Sequence, residues 1–186
     1  MGIPETAEVD YRSPYALSKH FGETAGELYR KLYGLPTVSL RYYNVYGPRH
    51  QETGSYATVI AIFRKQLRTG VPLTIVGDGT QRRDFTFVGD VVRANMLAAM
   101  NPEAHGTYNI GTGKNYSINE VAQLVAPGHP TENVPPRLGE YRATLANNSR
   151  AKKELGWTPN ISLEQGLKLT DQYENHVRPS MIVAAR

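Results

Sequence analysis

Cysteine is absent from the 186 residues, which excludes a disulfide framework, a thiolate nucleophile and a zinc-thiolate site. No apolar run approaches the roughly 18 residues a membrane-spanning helix requires, and no basic-then-apolar leader opens the chain. A cytoplasmic setting with no membrane partner is therefore expected. Positive charge is in slight excess, +4, but does not cluster. The densest groups are Arg82-Arg83 and residues 150–153, the latter followed at once by Glu154 as on a solvated helix face. No nucleic-acid partner is expected from such a distribution. The histidines His20, His50, His105, His129 and His176 are scattered without metal-ligand spacing, so no metal is expected either. A glycine-rich phosphate cradle is also missing, because Gly111-Thr112-Gly113 lacks a third glycine and reads as a turn. What remains is an ordinary globular composition, 40% apolar, with one tryptophan but twelve tyrosines.

Ser13 and Pro14 supply an N-cap and a first helical residue. Leu17, Phe21, Ala25, Leu28 and Leu32 then recur at helical spacing until Gly34. Residues 36–40 read as a short buried strand running into Arg41-Tyr42-Tyr43-Asn44-Val45-Tyr46 and closing at the turn Gly47-Pro48. Ile60, Phe63 and Leu67 mark a second helix ending at Gly70, followed by a strand over 73–76 and a turn at Gly77-Asp78-Gly79. Residues 85–88 are expected to form a strand, Asp90 to cap a helix reaching Met100, and 107–110 to form another strand. Ser117 with Glu120, and Ser162 with Gln165, are capping boxes. Between them, 127–136 reads as a proline-rich loop, and a further helix is capped near Ser149 and stopped at Gly156. Helices closely followed by strands predict an α/β fold.

The strongest chemical pattern is Tyr15-Ala16-Leu17-Ser18-Lys19, whose Tyr and Lys lie four apart on one helix face. Free tyrosine, with a pKa of about 10, is a poor base at neutral pH. A neighbouring ammonium favours the phenolate and makes the group usable for proton transfer. Taken alone, Tyr-x-x-x-Lys also occurs on many surface helices.

Its context is more specific. Ser-Pro-Tyr-Ala-Leu-Ser-Lys from Ser13, Leu-Arg-Tyr-Tyr-Asn-Val-Tyr-Gly-Pro-Arg from Leu40, and Gly-Asp-Gly-Thr-Gln-Arg-Arg-Asp-Phe from Gly77 occur in order. Tyr108-Asn109-Ile110-Gly111-Thr112-Gly113 and Glu154-Leu155-Gly156-Trp157-Thr158-Pro159 continue the series. Together they resemble the extended short-chain dehydrogenases that act on nucleotide sugars with NAD.

The resemblance implies a remnant of a Rossmann-type doubly wound parallel sheet plus a smaller mixed α/β substrate lobe. Residues 1–50 would be the C-terminal remnant of the NAD-binding domain and 51–186 the nucleotide-sugar lobe, a short part of which returns to the sheet. It also implies roles. Tyr15 would exchange a proton with a sugar hydroxyl, Lys19 would hold the nicotinamide ribose, and Tyr42 would lie beside the nicotinamide. Asn44 would bond the phosphate region, Thr74 and Val76 would line the base, and Arg83 would grip the diphosphate through its fixed fork of donors. Arg137-Leu138-Gly139-Glu140 resembles an Arg-x-Gly-Asp segment whose arginine and acid hold diphosphate and ribose, with Glu140 replacing the usual Asp. Asn147 likewise stands where Asp is usual.

The implied reaction is reversible oxidation at C4 of a UDP-hexose, as in UDP-glucose 4-epimerases. Dehydration and UDP-glucuronate decarboxylation are alternatives, as is a non-catalytic nucleotide-sugar binding fragment. The pyrophosphate-binding part is expected to lie upstream of this segment, leaving the chain alone inactive. A homodimer, or other self-association through Phe21 and Leu28 on the Tyr-Lys helix, is expected from the same resemblance.

Overall fold

The structure, a computed structural model, describes residues 2–54 and 56–177. Met1, Ser55 and 178–186, which the two regions above include, lie outside the described residues. Helix α1 (Pro14–Tyr33) starts where Ser13 Oγ accepts the Ala16 N–H at 3.2 Å and ends at Gly34, whose φ of 66° is left-handed. Two short strands follow, β1 (Val38–Tyr42) and β2 (Val45–Tyr46), separated by Asn44 at a φ of 31°. The first begins two residues later than the apolar pattern predicts. Pro36 has no N–H to give a ladder, and the Thr37 hydroxyl is tied to the Gly26 carbonyl of α1 instead.

Beyond the turn come α2 (Val59–Thr69), β3 (Leu73–Val76), β4 (Arg82–Asp84), β5 (Thr86–Phe87) and α3 (Val88–Met100). The expected strand over 85–88 is thus confined to two residues. Asp90 lies inside the first turn of α3 rather than capping it. Its buried carboxylate instead accepts the N–H groups of Asn160 and Ile161, both at 3.0 Å, and an Arg93 guanidinium bond at 2.7 Å. The chain continues through β6 (Gly106–Ile110), β7 (Asn115–Ser117), α4 (Ile118–Val125) and β8 (Thr131–Val134). Strand β8 replaces the loop expected there, because its prolines flank the ladder residues and do not interrupt them. The last helices are α5 (Ser149–Leu155) and α6 (Leu163–Val177). Asn148, not Ser149, is the N-cap of α5 and makes no side-chain capping bond, while the Asn147 side chain accepts the Ser149 N–H at 3.0 Å. Both capping boxes form, at Ser117 with Glu120 and at Ser162 with Gln165.

Strands pair as β1 with β6, β2 with β5 and β3 with β8, all parallel, and β4 with β7 antiparallel. The β1–β6 pair runs from Val38 opposite Gly106 to Tyr42 opposite Ile110, so a distant segment returns beside the strand that follows α1. Parallel pairing requires such long crossovers.

Apolar side chains gather into two cores. One joins Tyr46, Ile60, Phe63, Leu73, Ile75, Phe85, Val121, Leu163 and Leu167 from α2, α4, α6 and the strands between them. The other joins Val91, Ala94, Tyr108, Ile110, Ala151, Leu155 and Trp157, with Val38 and Leu40 of β1 packed against it. The Trp157 indole is fully buried and donates to the Asp90 carbonyl at 2.9 Å, which explains the Gly-Trp-Thr-Pro segment as a core anchor. Gly166 of α6 is required by close approach, since an added Cβ would fall 2.0 Å from the Tyr46 hydroxyl oxygen. Helix α1, by contrast, has no buried residue. Among the described residues, no helix is long and apolar enough to cross a membrane.

Candidate active site

Tyr15 occupies the first turn of α1, placed there by the Ser13 cap and Pro14, and is 57% exposed. One turn on, the Lys19 ammonium lies over its ring, 5.2 Å from the centroid. Helical spacing thus brings the two groups together, with the charge against the ring face. Tyr56, from the loop before α2, sits 6.4 Å from the Tyr15 ring. Tyr42 is the last residue of β1 and donates its hydroxyl to Asn95 Oδ1 of α3 at 2.9 Å. The C-terminal end of a parallel strand, where it stands, is where ligands of open α/β sheets gather.

Asn44 follows at the left-handed φ already noted. Its amide donates to the Asp84 carbonyl at 2.9 Å, and its own carbonyl accepts the Thr86 N–H at 3.3 Å. The residue therefore locks the β1–β2 junction to the β4–β5 junction.

A second group forms around Arg83 on β4. Arg83 Nη1 donates to the carbonyls of Arg82, at 2.9 Å, and Tyr141, at 2.7 Å, while Nη2 lies 3.5 Å from Glu140 Oε2. Arg137 Nη1 approaches the other oxygen of the same carboxylate, at 3.9 Å. Two guanidinium groups thus face one anion. They differ in setting, the Arg83 side chain being 16% exposed and Arg137 67%. Burial lowers the Arg83 pKa, and Glu140 opposes that shift.

Thr74 and Val76 share the half-buried face of β3, opposite Leu73 and Ile75. Gln66 of α2 clasps Thr74, bonding its hydroxyl at 3.0 Å and its N–H at 3.2 Å. The Val76 carbonyl accepts from Gln81 at 2.8 Å. The structure gives both residues internal partners as well as a shared face.

Sequence reasoning assigned no role to Asp84. Its carboxylate is fully buried and accepts from Thr112 N (2.8 Å), the Thr112 hydroxyl (2.7 Å), Gly113 N (2.9 Å) and Ala146 N (3.1 Å). It pins two segments, at Thr112–Gly113 and at Ala146, beside Arg83. Its presence in the Gln-Arg-Arg-Asp-Phe run was the available signal, but nothing there tells a pocket arginine from its buried neighbour. Tyr141 was also missed. Its carbonyl orients Arg83, its hydroxyl donates to the Asp10 carbonyl, and Arg12 lies 4.5 Å over its ring. A cleft of about 310 Å³ between Tyr116, Lys114 and residues 159–163 contains none of the candidate residues. Lys114 lies over the Tyr116 ring there, 4.7 Å from its centroid.

Parallel strand pairs covered by helices, with a Tyr–Lys helix beside the first pair, define an α/β chain of the Rossmann-type doubly wound class. The chain belongs to the NAD dependent epimerase/dehydratase family, whose model matches residues 3–111. It is 38% identical over 174 residues to the UDP-glucose 4-epimerase of Mycolicibacterium smegmatis, covering 91% of this chain and 55% of that protein. It is 39% identical over 173 residues to the UDP-N-acetyl-alpha-D-glucosaminuronate decarboxylase of Bacillus cytotoxicus, covering 87% and 53%. Among solved structures, the UDP-glucose 4-epimerase of Thermotoga maritima with UDP-glucose superimposes with a TM-score of 0.86 at 40% identity, covering 94% and 57%. The chain therefore spans about half the length of the curated relatives it matches.

Proposed function

We propose that this chain carries the proton-transfer helix and the nucleotide-sugar lobe of an NAD-dependent UDP-hexose 4-epimerase of the UDP-glucose/UDP-galactose type. The observation that carries it is the convergence of Arg83 and Arg137 on Glu140, a carboxylate standing where a diphosphate would bridge the same two cations. Tyr15 takes the proton from the C4 hydroxyl and returns it, and Lys19 supplies the charge beside it and a donor to the nicotinamide ribose. NAD, when bound, supplies the hydride acceptor. Tyr42 covers the nicotinamide side, Asn44 holds the phosphate region, Thr74 and Val76 line the base, and Glu140 turns to a ribose hydroxyl once diphosphate displaces it. In this scheme residues 1–50 serve the cofactor and 51–186 the sugar nucleotide. The 39% identity to a UDP-sugar decarboxylase favours decarboxylation as the second reading.

Titration of UDP against the chain tests the anion site. Arg83→Ala is expected to weaken binding by about 1.5–3 kcal/mol, the range for hydrogen bonds to charged groups, and Arg137→Ala by less because it is more exposed. Unchanged affinity in Arg83→Ala would remove the diphosphate role.

Self-association belongs to the same proposal. Leu17, Phe21, Leu28 and Leu32 fall on one face of α1, with Phe21 73% and Leu28 51% exposed. A continuous apolar stripe of this kind favours burial against a second copy. Sedimentation at micromolar concentration should show a dimer, and a well-behaved monomer would contradict this surface assignment.

A further inference from the structure

Away from the candidate active site, the turn after β2 brings His50 and Glu52 against the C-terminal half of α6. The His50 side chain is only 6% exposed, and neither of its ring nitrogens makes a hydrogen bond. Burying an imidazole without partners is costly. Its Nε2 points at two carboxylates, lying 3.5 Å from Glu174 Oε1 and 4.0 Å from Glu52 Oε1. The three potential ligand atoms all fall within 4.8 Å of one another.

The arginines around this group divide the carboxylates in a consistent way. Arg68 bonds Glu52 Oε2 at 2.6 Å and Glu174 Oε2 at 3.4 Å, and Arg64 bonds Glu174 Oε2 at 3.0 Å. Each acid thereby turns its Oε1 toward His50, held by outer contacts of the kind that orient metal-ligating carboxylates. Arg64 Nε also reaches Glu174 Oε1, at 3.3 Å, a long bond that a metal would replace. Asp171 is paired to Arg64 at 2.6 Å, on the outer side of the group.

We propose that His50, Glu52 and Glu174 form a divalent transition-metal site, selective for zinc-type ions, that ties the loop after β2 to α6. An imidazole nitrogen with two carboxylate oxygens suits such an ion better than magnesium or calcium, which take oxygen ligands. Ligands each about 2.0–2.2 Å from a tetrahedral ion lie about 3.4 Å apart. The His50–Glu174 separation already meets that spacing, and Glu52 lies about half an ångström beyond it from His50. Water would complete the coordination.

The test is equilibrium dialysis of the EDTA-treated chain against zinc, with melting followed in parallel. One zinc per chain and a raised melting temperature are expected, with no shift from magnesium at the same concentration. His50→Gln should weaken zinc binding at least tenfold and Glu52→Gln should do likewise, whereas His129→Gln should leave it unchanged. Should the variants fail to fold, cobalt(II) added to the unaltered chain should selectively broaden the His50 imidazole resonances. No binding at tens of micromolar, full binding retained in His50→Gln, or cobalt broadening of another histidine would overturn the site.

Discussion

Replacing Tyr15 by Phe in an enzyme of full family length carrying this segment will lower turnover by about 10²–10⁴-fold, the range contributed by a positioned general acid or base. NAD affinity will stay nearly unchanged, because only the hydroxyl is removed and the ring remains beneath the Lys19 ammonium. Such a drop in kcat with unchanged binding is the signature of an interaction made in the transition state. Lys19→Met will behave differently, lowering both cofactor affinity and rate, since in the proposed scheme the same ammonium serves the ribose and the tyrosine. Steady-state kinetics with calorimetric NAD titration separate the two. Retention of more than a tenth of the rate in Tyr15→Phe would end the proton-transfer assignment.

Asp84→Ala will produce the largest loss of stability, about 3 kcal/mol or more. The fully buried carboxylate satisfies the N–H groups of Thr112, Gly113 and Ala146, and alanine leaves all three unpaired. Each buried unsatisfied donor costs about 1–3 kcal/mol. Asn at this position will rescue little, because its NH2 group would confront N–H donors on one side. Urea unfolding measures the effect, and a loss below about 1 kcal/mol would show that the loops hold their places without this residue. Gly111 explains why they cannot simply close in, since a Cβ there would already lie 2.4 Å from the Ala146 Cβ.

Several of the elements follow from residues a few positions apart. The Ser13 cap and Pro14 start α1, Gly34, Gly70 and Gly156 stop their helices at left-handed φ, and two capping boxes form where the Ser-x-x-Glu and Ser-x-x-Gln patterns stand. These signals are local, because a cap satisfies the first turn of its own helix. Strands were less legible. Thr131–Val134 carries three polar residues and lies between prolines, and becomes a strand only because β3 offers it a parallel partner. Asp90 shows the same limit, since a capping residue type was drawn instead to the distant N–H groups of Asn160 and Ile161.

What the sequence determined by itself is therefore the ends of several helices, the α/β class and the Tyr15–Lys19 pair, which rest on patterns local in the chain. Tertiary structure alone decided which charges meet. Arg83 and Glu140 are separated by 57 positions along the chain and reach 3.5 Å only through the packing of the 137–142 segment on β4. His50 and Glu174 are farther apart still, yet face each other at 3.5 Å. Residue spacing gave no sign of this meeting because it reads one stretch of chain, whereas the packing of α6 against the loop after β2 places groups by volume and charge, which no local pattern records.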